Sequence, residues 1–388
     1  MTLTIIIILC SLLLFAYLFD ITSSKTRIPS VILLLILGWV VRQLTDLFNI
    51  HIVDLTVALP VLGTIGLILI VLEGSLELEL NRSKTGLIRK SFNGAVLSML
   101  ILSFSLAGLF HFFGDYSFRD SLVNAIPFCI ISSAVAIPSV RNLKPLHREF
   151  VIYESSLSDI IGVLFFNFVA LNVTFNVRLL GVFGLQLLSI ALVSIVAILL
   201  LSFLLHRIEH HIKYIPIILL VILIYAVSEY YHLPALIFIL LFGLFLGNLD
   251  QLRHFKWMER FRPDELNREV IKFRELTIEA AFLVRALFFL LFGFLIENSE
   301  IINTDTLIWS VGIVAAIIAV RAVQLKFSGL PLKPLLFVAP RGLITIVLFL
   351  MILPEQNIIY VNKSLIVQVI LLTTVLMMFG LMANTKKQ

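Results

Sequence analysis

The sequence predicts an all-α polytopic membrane protein of about thirteen transmembrane helices, and three observations lead there. Hydrophobic residues make up 60% of the 388 and charged residues only 14%, against about 45–50% and about 25% in a soluble domain. Mean hydropathy is +1.08; at about 20 apolar residues per crossing, a dozen or so spans with short loops fill the chain and leave no room for a soluble domain. The basic residues lie mostly between the apolar runs, so the net charge of +5 is a topology signal and no sign of a nucleic-acid partner.

Apolar runs bounded by charges and turn residues place the spans in order. The first, 3–19, lacks the basic start and small-residue cleavage site of a signal peptide and ends at Asp20, so it is kept as a span. The second (28–45) opens on Pro29 and the third (56–77) closes on Leu72-Glu-Gly74. Spans at 92–113, 121–140 and 150–173 complete the first group, and 178–205 is the seventh. The remaining six are 214–230, 234–249, 276–296, 306–324, 335–353 and 359–383.

With the N-terminus outside, the inner connections collect 22 of the 29 basic residues, and the outer ones hold only Arg42, Arg119, Arg178 and Lys363. Lys and Arg near span ends stay cytoplasmic, so the chain is expected N-out and C-in. An even number of spans would scramble this partition.

The sequence repeats itself seven spans on. Pro29-Ser-Val-Ile-Leu-Leu-Leu-Ile-Leu-Gly38 opens the second span and Pro234-Ala-Leu-Ile-Phe-Ile-Leu-Leu-Phe-Gly243 the ninth. The third span pairs with the tenth, and the fifth (Pro127, Pro138) with the twelfth (Pro340, Gly342). An odd offset inverts topology. The expected organisation is a first repeat over 1–175 (spans 1–6), a linking span in 176–212, and an inverted second repeat over 213–388 (spans 8–13). Paired Pro- or Gly-interrupted spans in inverted halves point to a secondary transporter's binding site.

An intramembrane charge costs about 2.5–3.5 kcal/mol on insertion scales and by default marks a site. Asp159 lies near the midplane of the sixth span, Arg285 at similar depth in the tenth, and Arg341 beside the Pro340–Gly342 interruption. Glu73, Glu154, Glu279 and Arg321 lie nearer span ends, where they could snorkel. In Glu154-Ser-Ser-Leu-Ser-Asp159, helical spacing puts Ser155 and Ser156 on the carboxylate's face, with Ser158 adjacent in sequence. Ser132 and Ser133 fall in mid-membrane before Pro138, where unwound backbone could add carbonyls. Hard oxygens of this kind suit Na⁺, Li⁺ or K⁺ better than a transition metal. The bland reading of Asp159 is a buried ion pair with Arg285 that locks two helices.

These runs resemble the monovalent cation/proton antiporter superfamily. Ser132 to Leu143 with Glu154 to Asp159 looks like its paired fifth- and sixth-span motifs. Phe282 to Gly293 is similar to its tenth-span motif, Pro340-Arg-Gly-Leu-Ile-Thr345 to its Arg-Gly segment, and Leu72 to Leu78 to its third-span ending. The resemblance implies crossing discontinuous helices in spans 5 and 12, Asp159 as the cation- and proton-binding aspartate, Arg285 as the tenth-span basic residue, and Arg341 as the Arg of the second broken helix. It also implies a homodimer in the plasma or inner membrane, with no cofactor. Two positions depart from the pattern: Ser158-Asp159 replaces the usual Asn-Asp or Asp-Asp, and Ala136-Ile137-Pro138 stands where many members have Thr-Asp-Pro.

A single midplane carboxylate holds one proton or one cation, so one-for-one, electroneutral exchange is expected, Na⁺ first, K⁺ and Li⁺ next. The alternative is a cation-coupled symporter of an organic anion; an enzyme is not expected, since no His-Glu-x-x-His, phosphate loop or paired intramembrane aspartates occur. Three further features stay minor. Cys10 and Cys129 match no metal or disulfide spacing, and His206, His210 and His211 read as a solvated loop. Leu249 to Phe273, with Phe255, Trp257, Phe261 and six lysines and arginines, reads as an interfacial helix drawn to anionic lipid.

Overall fold

The computed structural model of the chain describes residues 2–26, 28–49, 55–80, 82–172, 177–207, 213–231, 233–252 and 263–384. Among them there is no strand. The helices are α1 (Thr2–Thr26), α2 (Ser30–Leu47), α3 (Ala58–Glu77), α4 (Thr85–Gly114), α5 (Phe118–Ala125), α6 (Ser133–Ser139), α7 (Pro145–Leu171) and α8 (Val177–Arg207). They continue with α9 (Tyr214–Tyr230), α10 (Leu236–Gly247), α11 (Leu249–Leu252), α12 (Pro263–Phe294), α13 (Asn298–Ile301), α14 (Thr304–Phe327), α15 (Leu343–Met351) and α16 (Lys363–Asn384). Among the described residues, nine helical stretches are long and apolar enough to cross a membrane unaided.

Every span read from the sequence is occupied. The fifth is split into α5, a 3₁₀ turn at Ile126–Phe128 and α6; the twelfth into a 3₁₀ turn at Leu335–Phe337 and α15. One expectation needs correcting. The interfacial helix expected up to Phe273 is, from Pro263 on, the first three turns of α12. Leu266, Val270 and Phe273 are buried there at helical spacing, which packs this end of α12 into the bundle. The segment's first residues, Leu249–Leu252, form α11; residues 253–262, with Phe255, Trp257 and Phe261, lie outside the described residues, as do His210 and His211.

Helix packing repeats the seven-span offset. α2 packs on α12 and α10 on α3; α4 packs on α7 and α14 on α16; α4 also meets α14. Both members of the first pair of contacts depend on glycine. A methyl at Gly38 would stand 2.8 Å from the backbone nitrogen of Phe294, and one at Gly243 would stand 2.7 Å from Ser75 Cβ. The glycines at the same place in the two repeated segments therefore let two backbones approach to near contact. The contacts group α1–α3 with α8–α12 in one bundle and α4–α7 with α14–α16 in another. Outward faces are apolar, as Leu185, Leu188, Ile195 and Val196 on α8 illustrate, which suits a surface facing lipid tails.

Candidate ion-binding site

The second bundle carries two interrupted helices whose breaks cross. Residues 129–132 are not helical, and α6 begins at Ser133; residues 338–342 are not helical, and α15 begins at Leu343. Backbone groups released by such breaks must find partners when buried. Here each break supplies the other: Ser132 N–H donates to Pro340 O at 3.0 Å, and Thr345 Oγ1 donates to Pro127 O at 2.9 Å. Arg341, 2% exposed, lies at the crossing; its Nε donates to Phe128 O and its Nη1 to Ala339 O at 2.9 Å. Its own backbone N–H donates to Thr373 Oγ1 on α16 at 3.1 Å. Ile131 N–H donates to Ser158 Oγ on α7 at 3.0 Å.

The first break therefore lies six residues before Pro138. Pro138 sits inside α6, where its missing N–H removes the intrahelical donor to Ala134 O, but the unwound stretch itself lies before it, at 129–132. Ala136 and Ile137 lie within α6 as well.

Asp159 faces this crossing from α7, 1% exposed. Its Oδ2 accepts from the Ser133 hydroxyl and, at 3.3 Å, from the Ser133 backbone N–H at the start of α6. Its Oδ1 is buried without a hydrogen-bond partner. Two more hydroxyls are buried and unpartnered, Ser132 Oγ at the break and Ser156 Oγ on α7. A methyl on Gly342 would stand 2.8 Å from Ser132 Oγ, and one on Gly74 would stand 2.9 Å from Ser156 Oγ. Bare glycines thus flank both hydroxyls. Ser155 turns its hydroxyl back onto Val151 O at 2.7 Å within its own helix. Ser158 Oγ is engaged by the break.

The charged residues sort differently from the sequence reading. Arg285 does not lock onto Asp159; its Nη1 lies 3.7 Å from Glu73 Oε2 on α3. Glu154 and Arg321 do not snorkel. Both are buried and ion-paired, Gln324 Nε2 donates to the same Glu154 oxygen at 2.9 Å, and Arg321 Nε donates to Leu335 O at 3.2 Å. Sequence reasoning missed Glu73, Arg321, Gln324 and Thr373 as partners. Glu73 carried a signal, its place in the third-span motif.

A cavity of about 440 Å³ ends at Ser133. Glu73, Gly74, Ile137 and Arg285 line it, and Glu79, Lys84, Arg148 and Glu149 line it near the basic loops. Outside the spans, a hydrogen bond from Lys84 to Glu79, aided by Glu149, holds the Lys84 ammonium above its ordinary pKa. The arrangement offers one carboxylate with a free oxygen, two free hydroxyls and a polar route to one side of the molecule. Among the described residues, no cluster of His, Cys, Asp and Glu fits a resident metal.

A family model described as the sodium/hydrogen exchanger transmembrane domain matches residues 10–384. The chain belongs to the sodium/hydrogen exchanger family. It is thus a multi-pass membrane transporter of the cation/proton antiport class and not an enzyme. The sodium proton antiporter MjNhaP1 of Methanocaldococcus jannaschii, in a structure at pH 8, has a similar fold: TM-score 0.63 and 18% identity over 98% of this chain and 96% of that one. A second structure of the same antiporter, from an electron-microscopy map, gives a TM-score of 0.67 at 17% identity, covering 100% and 96%. No curated protein matches the chain.

Proposed function

We propose that this exchanger trades a monovalent cation, Na⁺ first with K⁺ and Li⁺ as the other candidates, for H⁺, one for one, by alternating access around Asp159. The observation that carries the reading is the half-satisfied Asp159: Ser133 fixes one carboxylate oxygen, while the other, like Ser132 Oγ and Ser156 Oγ, is buried with nothing to bond. Buried polar atoms are normally paired, so the free Asp159 Oδ1, with Ser132 Oγ at the break and Ser156 Oγ one turn earlier on α7, fits a site built for a guest. A proton on Oδ1 and a cation held by it exclude each other. Ser158 and Ser155 position the helix and the break, and Arg341 compensates the carbonyl ends of the crossing. In this reading Ser132 and Ser133 take the place that the family resemblance assigned to Thr-Asp, and Glu73 with Arg285 forms the charged floor of the entry route.

The expected topology is N-out and C-in in the plasma or inner membrane, which makes the cavity cytoplasmic and the present conformation inward-open. The inverted repeats run over 1–175 and 213–388, with the linking span in 176–212, and the protein works as a homodimer. The test is lumenal pH in proteoliposomes as Na⁺, Li⁺ and K⁺ are added in turn. Cation-dependent proton flux that Asp159→Asn abolishes is the expected result. Flux that survives Asp159→Asn would refute the site, and a current driven by the cation gradient would refute the one-for-one stoichiometry.

A further inference from the structure

Among the described residues, only two connections, 78–80 with 82–84 and 295–303, join the two bundles between neighbouring spans of one repeat, and they lie seven spans apart, on opposite faces. Each is tied to both bundles by side chains at matching places in the repeats. The first is held to α10 by Asn248, whose Nδ2 donates to Leu78 O at 2.8 Å and whose Oδ1 accepts from Leu80 N–H at 2.6 Å. The second is held to α2 through Asn298, whose Oδ1 accepts from Trp39 Nε1 at 2.8 Å and from Gln43 Nε2 at 3.3 Å. Gln43 and Asn248 are each the fifth residue after the repeated glycines, Gly38 and Gly243.

The other bundle holds the same connections from α7 and α16. Tyr153 donates to Glu79 O at 2.6 Å, and Lys84 meets Glu149 at 3.2 Å. On the opposite face Lys363 donates to Leu295 O at 2.7 Å and meets Glu300 at 2.9 Å. Glu149 and Lys363 each stand ten residues before the side chain that receives the break of their half, Asp159 and Thr373. The charges are swapped, the pairing is the same. One difference breaks the symmetry: Gln368 Nε2 adds hydrogen bonds to Asn303 O at 2.9 Å, Ile301 O at 3.3 Å and Glu300 O at 3.5 Å. Glu154, its counterpart, is turned instead to Arg321. The connection with the extra ties lies on the face away from the cavity, and the one with fewer ties lines the cavity.

We infer that these two connections are paired hinge straps: each stays fixed to the α1–α3/α8–α12 bundle through Asn248 or Asn298, and the extra Gln368 ties of 295–303 are what must release for the face away from the cavity to open. Gln368 is then the latch that keeps the face opposite the basic loops shut in the present conformation. The exposed ion pairs are individually weak, so the buried amide carries the latch. The inference rests on the exchange reading above, with alternating access as movement of one bundle against the other.

Two measurements test it. Hydrogen–deuterium exchange of the full-length protein reads the latch without any transport: Gln368→Leu should raise deuterium uptake over 295–303, and Asn172→Ala, whose amide bonds only within α7, should not. Unchanged uptake in Gln368→Leu overturns the latch. In a Cys10→Ser background that exchanges cations, with the buried Cys129 kept, a short bis-thiosulfonate linker is then placed between Ile301→Cys and Gln368→Cys, or between Gln43→Cys and Asn298→Cys. The first link should stop exchange until it is reduced, and the second should leave it running. Exchange that continues through the first link, or stops at the second, refutes the straps. A background without cation-dependent flux counts against the exchange reading, and the deuterium measurement still decides the latch.

Discussion

Replacing Arg321 by methionine tests whether the Glu154 pair is structural. The guanidinium is 2% exposed and Glu154 1%, so the lost charge cannot be replaced by water. Arg321→Met leaves Glu154 with the Gln324 amide as its single polar partner and removes one of the two donors to Leu335 O, Val338 N–H being the other. Removing one member of a buried pair typically costs about 3–5 kcal/mol. At about 2 °C per kcal/mol for a long chain, the midpoint should fall by roughly 6–10 °C. The assay is thermal unfolding of the detergent-solubilised protein, run as a double-mutant cycle with Glu154→Leu. An apolar replacement of both members is often close to neutral, so the double variant should recover to within about 1–2 kcal/mol of the parent. The recovered protein should retain Asp159-dependent exchange. A single variant as stable as the parent, or a double variant that loses the sum of the two, would refute this account.

Further outcomes follow from the packing. Arg341→Met deprives Phe128 O and Ala339 O of their donor at the crossing, at about 1–3 kcal/mol for each buried orphan, and exchange should be lost with stability; an unchanged melting midpoint would contradict the assignment. Gly243→Val presses a branched side chain into Ser75 and Leu76, an overpacking of about 1–3 kcal/mol or more, which the yield of monodisperse protein will show. Glu73→Gln should slow cation entry and lower the unfolding midpoint less than Arg321→Met does, because the Arg285 pair is long at 3.7 Å and lines the cavity. Flux measured against cation concentration separates the two effects.

Spans and site differ in how far the chain alone revealed them. A span is a local property: twenty apolar residues declare themselves, and all thirteen positions hold. The recurrence of Gly38 and Gly243 was also legible, and each glycine is kept bare by a close helix contact. A broken fifth span was expected, but the position of its break was not legible, since sequence reasoning seeks proline and Pro138 lies within α6. The chain unwinds at 129–132 because Phe128, Ile131 and Ser132 find hydrogen-bond partners on α15's approach and on α7, more than twenty residues away at the nearest. Arg321 was misplaced for the same kind of reason. Depth along a helix can be counted, but the direction a side chain faces depends on the neighbouring helix.

Two carboxylates stand five residues apart on α7, and their surroundings explain why only one can exchange its partner. Glu154 is permanently compensated by a buried cation and an amide. Asp159 has two donors from Ser133 on one oxygen and nothing on the other. If the free oxygen, Ser132 Oγ and Ser156 Oγ form the cation's cage, removing either hydroxyl should weaken the cation and spare the protein. Ser132→Ala and Ser156→Ala should each raise the half-saturating cation concentration about tenfold or more, taking about 1.5–3 kcal/mol for an oxygen bonded to a charged partner. Ser155→Ala, one residue away, should change it little, because that hydroxyl already serves Val151 O. Sequence spacing alone puts Ser155 and Ser156 on the same footing, and only the structure separates them. Equal effects at 155 and 156 would mean that the cation sits elsewhere along α7, and the three free oxygens would need a different guest.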